Sequence, residues 1–178
     1  MKTDINLKIL NLGCGLDATV PSTVSMDVSP ATKPDIVHDL NQMPWPVSSN
    51  TFDAVYCQDV IEHLNDVVKV MEEIHRVLKS GGKVFITTPH YSCSNSFTDP
   101  THKQHLGFFS FDYFIKGHPL SYYSDAIFRK NKARLEFLPR FKNRVIRYCA
   151  NRWPAFYEEH LAWIFPAWLM KFELEAVK

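Results

Sequence analysis

The stretch KILNLGCG, from Lys8 to Gly15, restricts this chain more than any other. Five residues, mostly apolar, stop at two glycines that flank a cysteine, as expected for a strand buried on both faces of a parallel sheet and opening into a tight loop. Similar runs recur at Thr23–Val28, Asp35–Leu40, Phe52–Val60 and Lys83–Pro89, each rich in Val, Ile or Phe and bounded by turn formers. Five such strands predict an open α/β sheet.

Between Asp66 and Lys79, apolar Val67, Val70, Met71, Ile74 and Leu78 recur at helical spacing, with Lys69, Glu72, Glu73 and Arg76 opposite. Asn65 or Asp66 is positioned to cap the start, and Gly81-Gly82 to stop the helix before the strand at Lys83. Strand, helix and strand then make one right-handed crossover. Ser110 is expected to cap a short helix through FDYFIKG, and Trp153-Pro154 to open another that Pro166 ends. ARLEFL and FELEAV alternate apolar and polar residues, which suits two antiparallel edge strands.

The expected fold is therefore a Rossmann-like, open, mostly parallel sheet of about seven strands with an antiparallel C-terminal hairpin. Its first half is shortened. Leu16–Pro21 and SPATKP are too brief to hold crossover helices, which need roughly 10–12 residues. One sheet face is thus under-covered, and the segment from Phe141 to Pro166, or a second subunit in a homodimer, is expected to pack there.

At 178 residues the chain reads as one domain, 1–178, with residues 90–130 as an acceptor-facing insertion. Hydrophobic residues at 46% and charged residues at 22% exclude disordered and fibrous classes. No apolar run reaches the roughly 18 residues of a membrane span, and the N-terminus lacks a signal core, so a cytoplasmic location is expected. Cys14, Cys57, Cys93 and Cys149 lack CxxC spacing and read as reduced thiols. Net charge is only +1, yet Arg129–Arg152 holds nine Lys or Arg against Glu136 alone. Interleaved with Phe137, Phe141 and Tyr148, this stripe suits phosphate, anionic lipid or RNA, while the plainer reading is a solvated basic face.

In open α/β sheets ligands lie beyond the carboxyl ends of the strands, so the glycine loop is the expected cradle. Gly13 and Gly15 can adopt positive φ and let a ligand touch the backbone, and Asp27 at the end of the second strand can accept from ribose hydroxyls. A dinucleotide fingerprint is formally present in Gly13-x-Gly15-x-x-Ala18. Spacing speaks against it: Asp27 follows Gly15 by twelve residues where roughly 20 are usual, and Pro21 interrupts the helix that would meet a pyrophosphate.

LNLGCG, MDV, HDLNQMPWPVSSNTFDAVYCQDVIEHL and EIHRVLKSGGKVFITTP, in that order, resemble the successive motifs of class I S-adenosylmethionine-dependent methyltransferases, particularly the type 11 group. The resemblance covers Lys8 to about Pro89 and extends more loosely into DPTHKQHLGFFSFDYF. It implies that Gly13, Cys14 and Gly15 pass beneath the methionyl part of the cofactor and that Asp27 holds its ribose. It further implies that Asp39 and Leu40 flank the adenine and that Gln58 sits near the amino-acid moiety.

An acceptor hydroxyl would need a base, and His90, His102 and His105, after the fifth strand, are the catalytic candidates. Loop histidines are more often turn-bonding groups, which is the plainer reading for each. Asp59, Glu62 and His63 are similar to the Glu-x-x-Glu-His array by which some O-methyltransferases hold a divalent metal; a metal is not favoured, because Glu62 equally serves as a hydrogen-bonding post. Trp45, between two prolines, is expected to pack beneath its loop rather than frame the adenine. The expected function is methyl transfer to a hydroxyl or similar acceptor on a small molecule, sugar or lipid-linked intermediate. Alternatives are a cofactor-binding partner subunit without activity of its own, or an RNA methyltransferase using residues 129–152, nucleic acid not being favoured.

Overall fold

A computed structural model describes residues 7–16, 23–138 and 144–178. Seven strands form one sheet: β1 (Ile9–Leu12), β2 (Thr23–Asp27), β3 (Ile36–Val37), β4 (Phe52–Gln58), β5 (Leu78–Pro89), β6 (Phe128–Glu136) and β7 (Leu169–Ala176). Their order is β3-β2-β1-β4-β5-β7-β6. The first five run parallel, whereas β7 is antiparallel to both β5 and β6, as the alternating C-terminal segments predict. Helices are α1 (Val67–Val77), α2 (Asn95–Thr98), α3 (Arg144–Arg152) and α4 (Pro154–His160).

Helix α1 begins where its cap dictates: the Asp66 carboxylate accepts from the Lys69 N–H at 3.1 Å. Its end differs from expectation. The helix stops at Val77 because Leu78 turns extended and pairs with Phe52, so β5 starts five residues before Lys83 and Gly81, at φ +75°, turns within the strand connection. Ser110 caps no α-helix; a single 3₁₀ turn spans Asp112–Phe114. Helix α4 opens at Pro154 but closes at His160, six residues short of Pro166. The crossover segment at residues 17–22 lies outside the described residues, as do 139–143.

Leu10, Leu12, Val55, Cys57, Val84, Ile86, Phe172 and Leu174 point to one face of the sheet and meet α1 through Val70, Met71, Ile74 and Val77 in the hydrophobic core. Ala150 of α3 and Tyr157 of α4 join that same core rather than the opposite face, contrary to the expected covering role of residues 141–166. On the opposite face the register aligns Ser25, Asn11, Tyr56, Phe85, Glu173 and Lys132 in one row, none of them in the core. Tyr56 and Phe85 stack at 4.9 Å there, half-buried. Among the described residues no helix covers this row. No described helix is long and apolar enough to cross a membrane. All four cysteines are free.

Candidate active site

Beyond the carboxyl ends of β1 to β4 lies a pocket of about 460 Å³, lined by Gly13, Asp27, Val28, Asp39, Leu40, Asn41, Asp59, Val60, His63 and Leu64. Gly13 holds its place through an N–H bond to the Met26 carbonyl at 2.8 Å and takes φ +58°. Gly15, at φ +60°, donates its N–H to Asp27 Oδ2 at 3.0 Å, and the Ser29 N–H donates to Asp27 Oδ1 at 2.8 Å. Two backbone amides thereby aim a buried carboxylate at the pocket. A carboxylate has about four acceptor positions, and bonds from the described residues take two of them.

The third wall depends on α1. Asp39 accepts from the Asn41 backbone and side-chain amides, both at 2.9 Å, and these bonds hold its pKa below the usual carboxylate value. The loop that follows is pinned by Trp45, which is fully buried and donates Nε1–H to the Leu40 carbonyl at 3.1 Å. Its backbone N–H meets Glu73 Oε2 at 2.9 Å, and Arg76 grips the same glutamate with two bonds of 2.7 Å while also donating to the carbonyls of Trp45 and Val47. Burial alone would raise the Glu73 pKa; Arg76 and the Trp45 amide outweigh it and hold the carboxyl low. Trp45 packs, as expected, and Glu73 belongs to the buried side of α1 rather than to its solvent face.

On the fourth side Asp59 adopts φ +52° and donates its N–H to the Thr87 carbonyl at 2.8 Å, which turns the chain sharply after β4. Burial raises the Asp59 pKa. Glu62, 2% exposed, accepts from Thr88 Oγ1 at 3.0 Å through Oε2, while no described group bonds its Oε1. Burial pushes its pKa up to about 7. The ring of His63 lies edge-on to that of His102, 4.7 Å between centroids, and ligand atoms of Glu62, His63 and His102 all fall within 4.8 Å of one another. Of the Asp59, Glu62 and His63 set named from the sequence, Glu62 and His63 are joined here by His102. This set of one carboxylate and two imidazoles can share a proton or hold a cation.

The three candidate histidines separate. His102 donates its Nδ1–H to the Ser96 carbonyl at 3.2 Å, and its Nε2 lies 3.7 Å from Asp99 Oδ2. His105 bonds Ser96 Oγ at 2.9 Å and stacks on Phe97 at 4.1 Å, on the outer surface. His90 is fully buried with both nitrogens engaged, Nδ1 by Ser92 Oγ at 2.7 Å and Nε2 by Glu158 Oε1 at 3.0 Å. It ties α4 to the end of β5. The segment carrying His102 and His105 is fastened to the pocket wall, for the N–H groups of Lys103 and Gln104 both donate to the Glu62 carbonyl, at 2.8 and 3.0 Å.

Of the cofactor residues read from the sequence, Gly13, Asp27, Asp39 and Leu40 line the pocket, with Cys14 and Gly15 continuing the Gly13 loop. Gln58 lies beside Asp59, which lines the pocket. Val28, Asn41, Val60 and Leu64 also line it; the turn geometry after β2, β3 and β4 brings them there.

Residues 10–86 match the protein family described as a methyltransferase domain. Over 118 residues the chain is 33% identical to the glycine/sarcosine/dimethylglycine N-methyltransferase of Actinopolyspora halophila, covering 60% of this chain and 19% of that protein. It spans a fifth or less of the length of the curated relatives it matches. Its fold resembles that of a SAM-dependent methyltransferase from Archaeoglobus fulgidus, with a TM-score of 0.67 at 17% identity over 95% of this chain and 86% of the other. An S-adenosylmethionine-dependent methyltransferase from Mesorhizobium loti gives 0.60 at 15% identity, over 95% and 90% respectively.

Proposed function

We propose that this chain is a class I S-adenosylmethionine-dependent methyltransferase that binds the cofactor in the pocket between Gly13 and Asp59 and methylates a hydroxyl-bearing acceptor, a reading supported by the match of residues 10–86 to a methyltransferase domain. The observation that carries the proposal is the Asp27 carboxylate, buried at the end of β2 and aimed by the amides of Gly15 and Ser29, with two acceptor positions that no described residue takes. A ribose diol matches them. Gly13, which has no side chain and sits at close quarters with Val60, lets the methionyl portion lie against the backbone, with Cys14 and Gly15 continuing that floor. Asp39, Leu40 and Asn41 face the adenine, while Gln58 and Asp59 stand at the strand end nearest the amino-acid group.

S-adenosylmethionine supplies a methyl group on a sulfonium, transferred by in-line displacement. The chain's part is positioning and proton removal. His102 is the proposed proton acceptor, backed by Glu62 and His63, whose shared cluster lies against the pocket wall. His105, outside it on the Phe97 surface, is proposed to meet the acceptor as it enters across residues 91–109. A small-molecule, sugar or lipid-linked acceptor fits this opening. An amine, as in the name of the Actinopolyspora relative, would arrive carrying its own lone pair and need the base only to lose its proton.

The test is a melting experiment with S-adenosylhomocysteine. At 100-fold excess over Kd a ligand that binds only the folded state stabilises it by about 2.7 kcal/mol. The wild type should show that shift, and Asp27→Ala should lose it. No shift at millimolar ligand overturns the proposal. Binding with no methyl transfer to any hydroxyl or amine acceptor supports the reading of an inactive, cofactor-binding subunit.

A further inference from the structure

A second concavity, of about 850 Å³, opens between β6 and α3, far along the sheet order from the β1–β4 pocket. Lys132 and Arg134 line it from β6, and Arg144, Arg147 and Arg152 from α3. Among the described residues three of these cations have ion-pair partners: Arg134 reaches Glu136 at 3.1 Å, Arg147 reaches Glu136 at 3.7 Å, and Lys132 reaches Glu173 at 3.4 Å. Five positive charges around one groove still exceed what Glu136 and Glu173 neutralise, more so because Glu173 also serves Lys83 at 2.8 Å.

Helix α3 presents two outward faces side by side. Arg144, Arg147 and Asn151, at i, i+3 and i+7, look into the groove, where Asn151 also bonds the backbone of Leu135 through both amide atoms. Val145 and Tyr148, also at i and i+3, form the adjoining face and are 69% and 65% exposed. The apolar strip continues into α4: the Tyr148 ring meets Trp153 at 6.3 Å, Arg152 lies over the Trp153 ring at 5.6 Å, and Phe156 follows three residues on. Trp153 and Phe156 are 51% and 54% exposed. Tyr148 belongs to both features, so cations and exposed rings form one continuous surface.

We propose that α3 and the start of α4 dock on an anionic lipid surface, with headgroup phosphates in the arginine groove and Val145, Tyr148, Trp153 and Phe156 entering the headgroup–acyl boundary. Guanidinium forks match phosphate oxygens two bonds at a time. Tyr and Trp favour the membrane–water boundary, where one end of the ring is wet and the other apolar, and Arg stems lie along the same boundary. A nucleic acid would account for the cations, and stacking for the rings, but it offers nothing to an exposed valine beside them. Anionic bilayers meet both halves of the surface.

The experiment is flotation of the full chain with vesicles of phosphatidylcholine alone or with about 30% phosphatidylglycerol, a fraction at which polybasic surfaces respond strongly. Binding should require the anionic lipid and fall with salt. Arg144→Glu/Arg152→Glu and, separately, Tyr148→Ser/Phe156→Ser should each weaken it about tenfold or more, while the melting temperature and its response to S-adenosylhomocysteine stay at wild-type values. Equal binding to both vesicles, or none to either, overturns the proposal. Loss only in the charge variant, accompanied by tight, salt-sensitive binding of an RNA oligonucleotide, overturns it in favour of a nucleic-acid surface. Since the readout involves no methyl transfer, failure here leaves the cofactor assignment intact, and the reverse holds.

Discussion

Gly13 and Val60 stand so close that a Cβ on Gly13 would fall 2.3 Å from Val60 Cγ2. The contact joins the loop after β1 to the turn after β4, and both residues line the proposed cofactor pocket. Valine is stiff at χ1, so it has little freedom to retreat, and Gly13 is also held at φ +58°.

Gly13→Ala should therefore push Val60 into the pocket. Strain of this kind costs about 1–3 kcal/mol of stability, and S-adenosylhomocysteine affinity should drop at least tenfold by calorimetry. Gly13→Ala/Val60→Ala should recover part of the affinity. An unaltered Kd in the single variant would show that the cofactor does not lie against this backbone.

Glu62 makes stability depend on pH in an unusual direction. Its pKa rises from 4.5 unfolded to about 7 folded, so the folded state holds the extra proton between those values and stability falls as pH climbs through that window. By linkage the loss amounts to about 3 kcal/mol above pH 7. Glu62→Gln, which keeps the Thr88 bond and needs no proton, should melt higher than wild type at pH 8 and equally at pH 5. In the same experiment a chelator should leave the wild-type melting temperature unchanged; a drop restored by Zn²⁺ or Mn²⁺ would instead mark Glu62, His63 and His102 as a metal centre.

Arg76 acts at a distance from the pocket by holding the loop that bears Asp39, Leu40 and Asn41. Removing one partner of a mostly buried ion pair typically costs about 3–5 kcal/mol, because the other charge is stranded. Arg76→Met should fall in that range by denaturant unfolding and should also weaken S-adenosylhomocysteine. Glu73→Gln/Arg76→Met should cost less than Arg76→Met alone. A cost below about 1 kcal/mol for the single change would show the pair to be as weak as a surface bridge.

The β1 strand, the glycine turn, the carboxylate at the end of β2, the capped α1 and the alternating C-terminal strands were all legible, because each depends on spacing within a few residues. Helix α3 was not: RVIRYCANR carries its cations and apolar residues in an order that reads as a solvated basic stripe, and only contact with β6 and α4 brings Ala150 into the core. Glu73 has the same history. Helical spacing puts it on the solvent side, and the loop folding over it through Trp45 makes it buried.

The sequence by itself determined the sheet, its edge and the glycine turn that borders the proposed cofactor pocket, since a strand's burial and a glycine's φ are local consequences of side-chain size. Tertiary structure decided which histidines meet. His102 lies 39 residues from His63 along the chain and is held beside it by the bonds of Lys103 and Gln104 to the Glu62 carbonyl and of Thr101 to His63 itself, while His90, next in sequence to β5, is taken by Glu158 of α4. No spacing rule encodes such pairings; they follow from which distant backbone groups remain to be hydrogen-bonded once the core has closed.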